Sequence, residues 1–258
     1  MASSSKDGTA KIWDVPRRSC IATLSQHTDS VSCVKWGGDG TIYTSSRDRT
    51  IRSWTLEGKL LAILEGHAHW INTLALGTDF VLRTGAFDHE GRISGSDPKA
   101  TALARYQAAL NGESEQLVSG SDDFTMFLWS PSKSKKPIAR LTGHQGLIFQ
   151  VNFSPDGRYI ASGSVDKSVK IWNGMTGQFV TSFRGHVGSV YQICWSADSR
   201  LVMSASKDST VKVWELKSRS LKLDLPGHLD EVYAIDWSPM GDRAASGGKD
   251  KLLKLWRQ

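Results

Sequence analysis

The sequence predicts an all-β fold of about five to six small four-stranded blades set radially as an incomplete ring, with one helical insertion. Three observations predict it. Six of the 10 tryptophans (Trp13, Trp54, Trp129, Trp172, Trp214, Trp256) follow one another at steps of 41, 75, 43, 42 and 42 residues. An Asp stands six residues before each of them (Asp7, Asp48, Asp123, Asp166, Asp208, Asp250). Ser or Thr stands four before each Asp (Ser3, Thr44, Ser119, Ser162, Ser204, Ser246). Between these marks, strand-length apolar runs alternate with turn clusters of Ser, Asp and Gly.

Residues 1–24 supply a unit that lacks an opening His and a first strand. Five units then open at His27, His67, His144, His186 and His228; four of these follow a Gly, and His27 follows Gln26. The unit from Gly185-His186 shows the pattern in full. Val190 to Trp195 is a buried-strand run, Ser196-Ala197-Asp198-Ser199 a turn, and Leu201 to Ser206 a second strand. Lys207-Asp208-Ser209 turns again, Thr210 to Trp214 alternates as a third strand, and Ser220 to Leu225 is a fourth before Gly227-His228. The long step carries roughly 33 extra residues, placed at 87–116. There Ser96-Asp97-Pro98 opens a helix over Lys99 to Leu110, with Asp97 as cap, Pro98 at the first position and Gly112 near the end. Leu103, Tyr106 and Leu110 form one apolar stripe, expected to lie on a neighbouring blade or, as a long insertion in a tight repeat, to dock a partner. The last unit stops just after Trp256, before a fourth strand. The sum is about 22 strands, short of six whole blades, and open edges follow. The expectation is one domain over 1–258 with incomplete first and last blades: a fragment, a short isoform, a truncated gene model or a strained six-bladed ring.

Composition fits a water-soluble globular chain: 39% hydrophobic residues and a mean hydropathy of −0.31. No run of about 18 apolar residues is present to span a membrane, and the first residues lack the apolar segment of a signal peptide. Cys20, Cys33 and Cys194 are far apart and odd in number, which suits a reducing compartment such as cytosol or nucleus. A net charge of +6 and a pI near 9.2 permit nucleic-acid binding without requiring it. No cofactor or metal pattern stands out.

The recurring residue types have a chemical reason to be spaced this way. A buried indole N–H needs an acceptor, which a hydroxyl provides while donating onward. A neutral His accepts at one ring nitrogen and donates from the other, and Asp takes that proton. The expected quartets include His144, Ser162, Asp166 and Trp172; His186, Ser204, Asp208 and Trp214; and His228, Ser246, Asp250 and Trp256. Copied in every unit, they suit architecture better than a hydrolase triad, which needs one site. No GxSxG, HExxH or GxxxxGK[ST] motif occurs, and a non-catalytic protein is expected.

The Gly-His openings, the Asp six before Trp and the four-strand blade resemble the WD40 repeat family. Only Trp13-Asp14 is a literal Trp-Asp pair. Longer strings are more specific: His69-Trp70-Ile71-Asn72-Thr73-Leu74-Ala75-Leu76, then Leu82-Arg83-Thr84-Gly85-Ala86-Phe87, then Leu117 to Pro131 after the insertion, and Asp224 to Pro239. These are similar to the Notchless family of large ribosomal subunit assembly factors, through its later blades. The resemblance implies a scaffold on large-subunit precursors, touching proteins and rRNA, in the nucleus and nucleolus. In the family an N-terminal ubiquitin-like domain engages an AAA-type remodelling ATPase; this sequence matches only the propeller part, so that docking domain is expected to be absent. A generic adaptor, such as a ubiquitin-ligase substrate receptor or signalling scaffold, is the competing reading.

Two surfaces are candidates for recognition. Residues before the turn Asp face the top of such rings: Lys6, Arg47, Asp122, Val165, Lys207 and Lys249. Residues five after each His form a second column at the same entrance: Ser32, Asn72, Phe149, Tyr191 and Tyr233. Of these, Lys6, Arg47, Phe149, Tyr191, Lys207, Tyr233 and Lys249 are the expected partner-binding set, with cations to meet phosphate and rings to stack. On the opposite face, Lys133, Lys135 and Lys136, with Lys217 and Arg219 in an equivalent loop and Arg17-Arg18 in another, form a candidate rRNA rim.

Overall fold

A computed structural model describes residues 1–87, 91–93 and 97–257. Among them, 22 strands form six antiparallel sheets in chain order. The first holds β1 (Ala2–Ser4), β2 (Ala10–Asp14) and β3 (Ser19–Leu24). The second holds β4 (Val31–Trp36), β5 (Ile42–Ser46), β6 (Thr50–Trp54) and β7 (Leu60–Glu65). The third runs through β8 (Ile71–Leu76), then α1 (Asp79–Thr84) and α2 (Pro98–Leu110), then β9 (Leu117–Ser121), β10 (Met126–Trp129) and β11 (Ala139–Leu141). The fourth is β12 (Ile148–Phe153), β13 (Tyr159–Ser164), β14 (Ser168–Asn173) and β15 (Phe179–Arg184). The fifth is β16 (Val190–Trp195), β17 (Leu201–Ser206), β18 (Val211–Glu215) and β19 (Ser220–Leu225). The sixth is β20 (Val232–Trp237), β21 (Arg243–Gly248) and β22 (Leu253–Arg257). No helix among these residues is long and apolar enough to cross a membrane.

The first strand of each complete sheet is innermost and packs on the first strand of the next: β4 on β8, β8 on β12, β12 on β16, β16 on β20. Burial follows the same logic. Each apolar cluster lies between two adjacent sheets, such as Phe183, Val190, Ile193, Val202 and Trp214 between the fourth and fifth. There Phe183 stacks on Trp214 with centroids 5.3 Å apart, and burying such a ring contributes about 2–3 kcal/mol. Six sheets have five such clusters, and among the described residues none joins the sixth sheet to the first. The propeller is therefore an open arc. The first sheet lacks an inner strand and the sixth an outer one. Leu253 and Leu255 on β22 are 74% and 71% exposed because no following sheet covers that face, whereas β10 is buried throughout.

The polar quartets pin each sheet's turn to its strands. In the fifth sheet, Trp214 Nε1 donates to Ser204 Oγ at 2.8 Å, Ser204 lies 2.8 Å from His186 Nε2, and His186 Nδ1 lies 2.8 Å from Asp208 Oδ2. A carboxylate only accepts, so Nδ1 carries the proton and Nε2 accepts from the hydroxyl; one tautomer satisfies the whole chain. The same arrangement joins His144, Ser162, Asp166 and Trp172. It joins His228, Ser246, Asp250 and Trp256, and it recurs around His27 and His67. The first sheet keeps only Trp13 donating to Ser3 at 2.8 Å. Burial depresses the basicity of His144 and His186 against the pull of their aspartates. Burial alone would raise Asp208, but donors from Thr210, His186 and Val187 hold it at about 2. The residue after each Asp turns with positive φ, as at Lys167 (69°) and Ser209 (66°).

Parts of the expected insertion, residues 88–90 and 94–96 with Ser96 among them, lie outside the described residues. α2 starts at Pro98, and Asp97 accepts from Lys99 N at 2.9 Å. It ends on Asn111 in the left-handed region, one residue ahead of Gly112. The apolar stripe is narrower than expected: Tyr106 is buried, but Leu103 is 54% exposed. The reason is the small seat on the second sheet's turn, where a Cβ at Gly38 would stand 2.2 Å from the Tyr106 ring. α1 lies ahead of the expected insertion and was not anticipated. It is a charged strut across the axis: Asp79 bonds Lys35 Nζ at 2.7 Å on β4, and Arg83 grips Asp236 on β20 at 3.0 and 2.7 Å.

Candidate interaction surfaces on the two faces

The upper face is built by a bulge repeated in the inner strands. Pairing between β12 and β13 skips from Ile148 to Gln150, and between β16 and β17 from Val190 to Gln192. The skipped residues are Phe149 and Tyr191; in the second, third and sixth sheets they are Ser32, Asn72 and Tyr233. A residue expelled from the ladder turns its side chain away from the sheet plane. The turn beside it is tied down by backbone hydrogen bonds, such as Lys207 N to Ser189 O at 2.9 Å and Lys249 N to Glu231 O at 2.8 Å.

On the fourth to sixth sheets this column becomes a ladder of rings. Phe149 and Tyr191 meet edge to face at 5.1 Å, and Tyr191 and Tyr233 meet tilted at 44° and 5.4 Å. Both phenols donate to Glu231, at 2.8 Å from Tyr191 and 3.2 Å from Tyr233. Burial and that carboxylate push the Tyr191 phenol up to about 12, so it remains a donor. Lys207 is exposed next to the ladder, while Lys249 is drawn to Asp230 at 3.6 Å. Lys6 and Arg47 belong to the first two sheets, away from the rings. Arg47 stacks on Trp70 at 4.4 Å, and Lys6 is exposed. The seven expected residues thus share one face but divide into a ring-lined half and a basic half.

The lower face carries the loops after each spaced Trp and the turns between inner and second strands. Lys133, Lys135 and Lys136 are exposed between β10 and β11, and Lys133 pairs with Glu113. Lys217 and Arg219 are exposed between β18 and β19. These loops belong to the third and fifth sheets, and Arg17-Arg18 to the first, so they do not merge into one cluster. The fourth sheet's loop, Gly174-Met175-Thr176-Gly177, is uncharged. Sequence reasoning missed three cations nearer the axis. Arg158, Arg200 and Arg243 sit on the inner turns of sheets four to six, next to Asp156, Asp198 and Asp242 at 2.6, 2.6 and 3.1 Å. The Asp-x-Arg repeat of the first two was a usable signal.

A family model for the WD domain, G-beta repeat, matches residues 1–14, 18–55, 135–173, 177–215 and 219–257. The unmatched stretch between 55 and 135 includes β8, β9 and β10 of the third sheet and both helices, although that sheet holds the same polar quartet. Over 190 residues the chain is 57% identical to ribosome assembly protein 4 of Saccharomyces cerevisiae, covering 71% of this chain and 37% of that protein. It is 63% identical over 183 residues to a Notchless protein homolog of Arabidopsis thaliana, covering 70% and 39%. It is 49% identical over 165 residues to protein Notchless of Drosophila melanogaster, covering 60% and 33%. The chain spans between a third and two fifths of the length of these curated relatives.

Proposed function

Because this chain belongs to the WD40 repeat family and is 49–63% identical to proteins named Notchless or ribosome assembly protein 4, we propose that it is a non-catalytic scaffold in large ribosomal subunit assembly, binding protein and rRNA. The observation that carries this reading is the identity of 57% and 63% over more than two thirds of the chain. Work of this kind belongs in the nucleus, at the nucleolus. Engagement of an AAA-type remodelling ATPase, implied by the family resemblance, is assigned to the family's ubiquitin-like domain and not to the two faces described above.

The chemistry of the quartets supports a role without catalysis. Ser162 and Ser204 have 0% exposure, so their hydroxyls cannot reach a substrate. What remains is two faces with different chemistry. The ring ladder with Lys207 suits stacking on bases or gripping a protein tail. The dispersed lower cations suit phosphate backbone, a contact that weakens as salt rises. The test is sucrose-gradient sedimentation of tagged protein from cell extract. Co-sedimentation with large-subunit precursors, lost stepwise in rising salt, supports the reading. A protein that stays in the light fractions at low salt overturns it and favours a generic adaptor. Within the supported outcome, Tyr191→Ala weakens association at all salt concentrations, whereas Lys135→Glu with Lys136→Glu reduces the salt dependence.

A further inference from the structure

In the fifth sheet, Lys212 on β18 faces Asp224 on β19, and its ammonium bonds that carboxylate at 2.6 Å. In the fourth sheet the same register pairs Lys170 with Ser182. The acid is replaced by a hydroxyl, and both partners are left over. Lys170 is 7% exposed, and among the described residues it has no ion-pair or side-chain hydrogen-bond partner; its ammonium lies 5.6 Å from the Phe179 ring. Ser182 Oγ is buried with no hydrogen-bond partner. A buried ammonium is stable only where something of opposite charge completes it.

Two more cations converge on the same place. Lys167, held in its left-handed turn, and Arg184, at the end of β15, line with Lys170 a cavity of about 250 Å³. The cavity lies at the upper end of the fourth sheet, where Gly143 and Gln145 of the β11–β12 connection and His186 after β15 complete its lining. Its one carboxylate is Asp166, and that is fully engaged. Oδ2 accepts from His144 Nδ1 at 2.7 Å and Gln145 N at 3.0 Å, and Oδ1 from Ser168 N at 3.0 Å and Oγ at 2.6 Å. The corresponding positions of the fifth sheet are Ser209 and Pro226, so the three-cation set is particular to the fourth.

We propose that this cavity binds a phosphorylated serine or threonine on a protein partner. Three cations reaching in from different strands and a turn match the three peripheral oxygens of a phosphate monoester; a carboxylate offers only two. The recessed ammonium of Lys170 selects a group on a side-chain stem over a backbone phosphodiester, whose flanking sugars hold it away. The inference does not depend on which particle the chain assembles.

The test uses the whole chain and a fluorescein-labelled peptide carrying one phosphoserine, with its unphosphorylated form and a single-stranded RNA as competitors, read by fluorescence polarisation. The phosphopeptide binds at least about tenfold tighter than its unphosphorylated form, and O-phospho-L-serine displaces it. Ser182→Asp, which restores the fifth sheet's internal partner, lowers affinity about tenfold or more. Arg184→Gln, on the surface and harmless to folding, lowers it in the same direction. Equal binding of the two peptides, or undiminished binding by both Ser182→Asp and Arg184→Gln, overturns the proposal. So does RNA that competes and loses affinity through the same two substitutions.

Discussion

Replacing Ser204 by Ala tests the quartet directly. The hydroxyl accepts from Trp214 Nε1 and serves His186 Nε2, both at 2.8 Å, with Trp214 and His186 2% and 6% exposed. The substitution leaves a buried donor and a buried acceptor without partners, at about 1–3 kcal/mol each, so about 2–6 kcal/mol together. Ser3→Ala is the internal control. There Trp13 is only half-buried and the first sheet has no His, so one weaker bond is lost, worth about 1 kcal/mol. At about 2–4 °C per kcal/mol for a chain of this size, Ser204→Ala lowers Tm by roughly 4–24 °C. Ser3→Ala lowers it by no more than about 4 °C. Thermal unfolding followed by far-UV circular dichroism reads both. Equal losses in the two variants would falsify the reasoning, because the cost would then owe nothing to a shared buried chain.

Acid should act on the same groups. His144 and His186 are held below their ordinary value of 6.5, so the unfolded chain takes up protons first. Their contribution is complete above pH 6.5 and is lost as pH falls below it; Asp208's is lost between 3.8 and about 2. Tm measured from pH 8 to 5 in a Glu115→Gln background, which removes an opposing carboxyl, is therefore flat at first and then declines, and a rise on acidification contradicts the assignment. Glu115 goes the other way: burial raises it, and its Oε2 has no partner. Its ionised form destabilises the fold above the ordinary value of 4.5. Glu115→Gln should raise Tm at pH 7, by an amount that shrinks toward pH 4.5; a constant difference between the two pH values removes charge as the cause. Ser209→Gly relieves a positive φ of 66° and should stabilise by up to about 1 kcal/mol in urea titration, with no gain counting against strain at that turn.

Much of this fold was legible because its rules are local. A Trp six residues after an Asp fixes one turn and one strand whatever the other sheets do, and the strands expected around His186 appear at nearly the same residues. The cap at Asp97 was legible for the same reason. What escaped depends on neighbours distant in sequence. α1 is too short for a periodic signal and is held by Lys35 and Asp236, far from it in the chain. Leu103 looked equivalent to Tyr106, but only one of them meets the glycine seat on the second sheet. The Lys170 cavity is visible only when β14 and β18 are compared in register, since a lysine in a strand says nothing of what it faces. The division of the seven upper-face residues into a ring-lined half and a basic half required the arc itself.

The skipped residue of each inner strand has a consequence for how such a molecule can change. Because Phe149, Tyr191 and Tyr233 take no part in ladder pairing, mutation can alter them while leaving the ladder intact, whereas Ser32 and Asn72 bond the carbonyls of Ile71 and Ile148 on the next sheet. Natural variation can thus explore new ligands along the row of rings with little penalty in folding, and a designer can do the same.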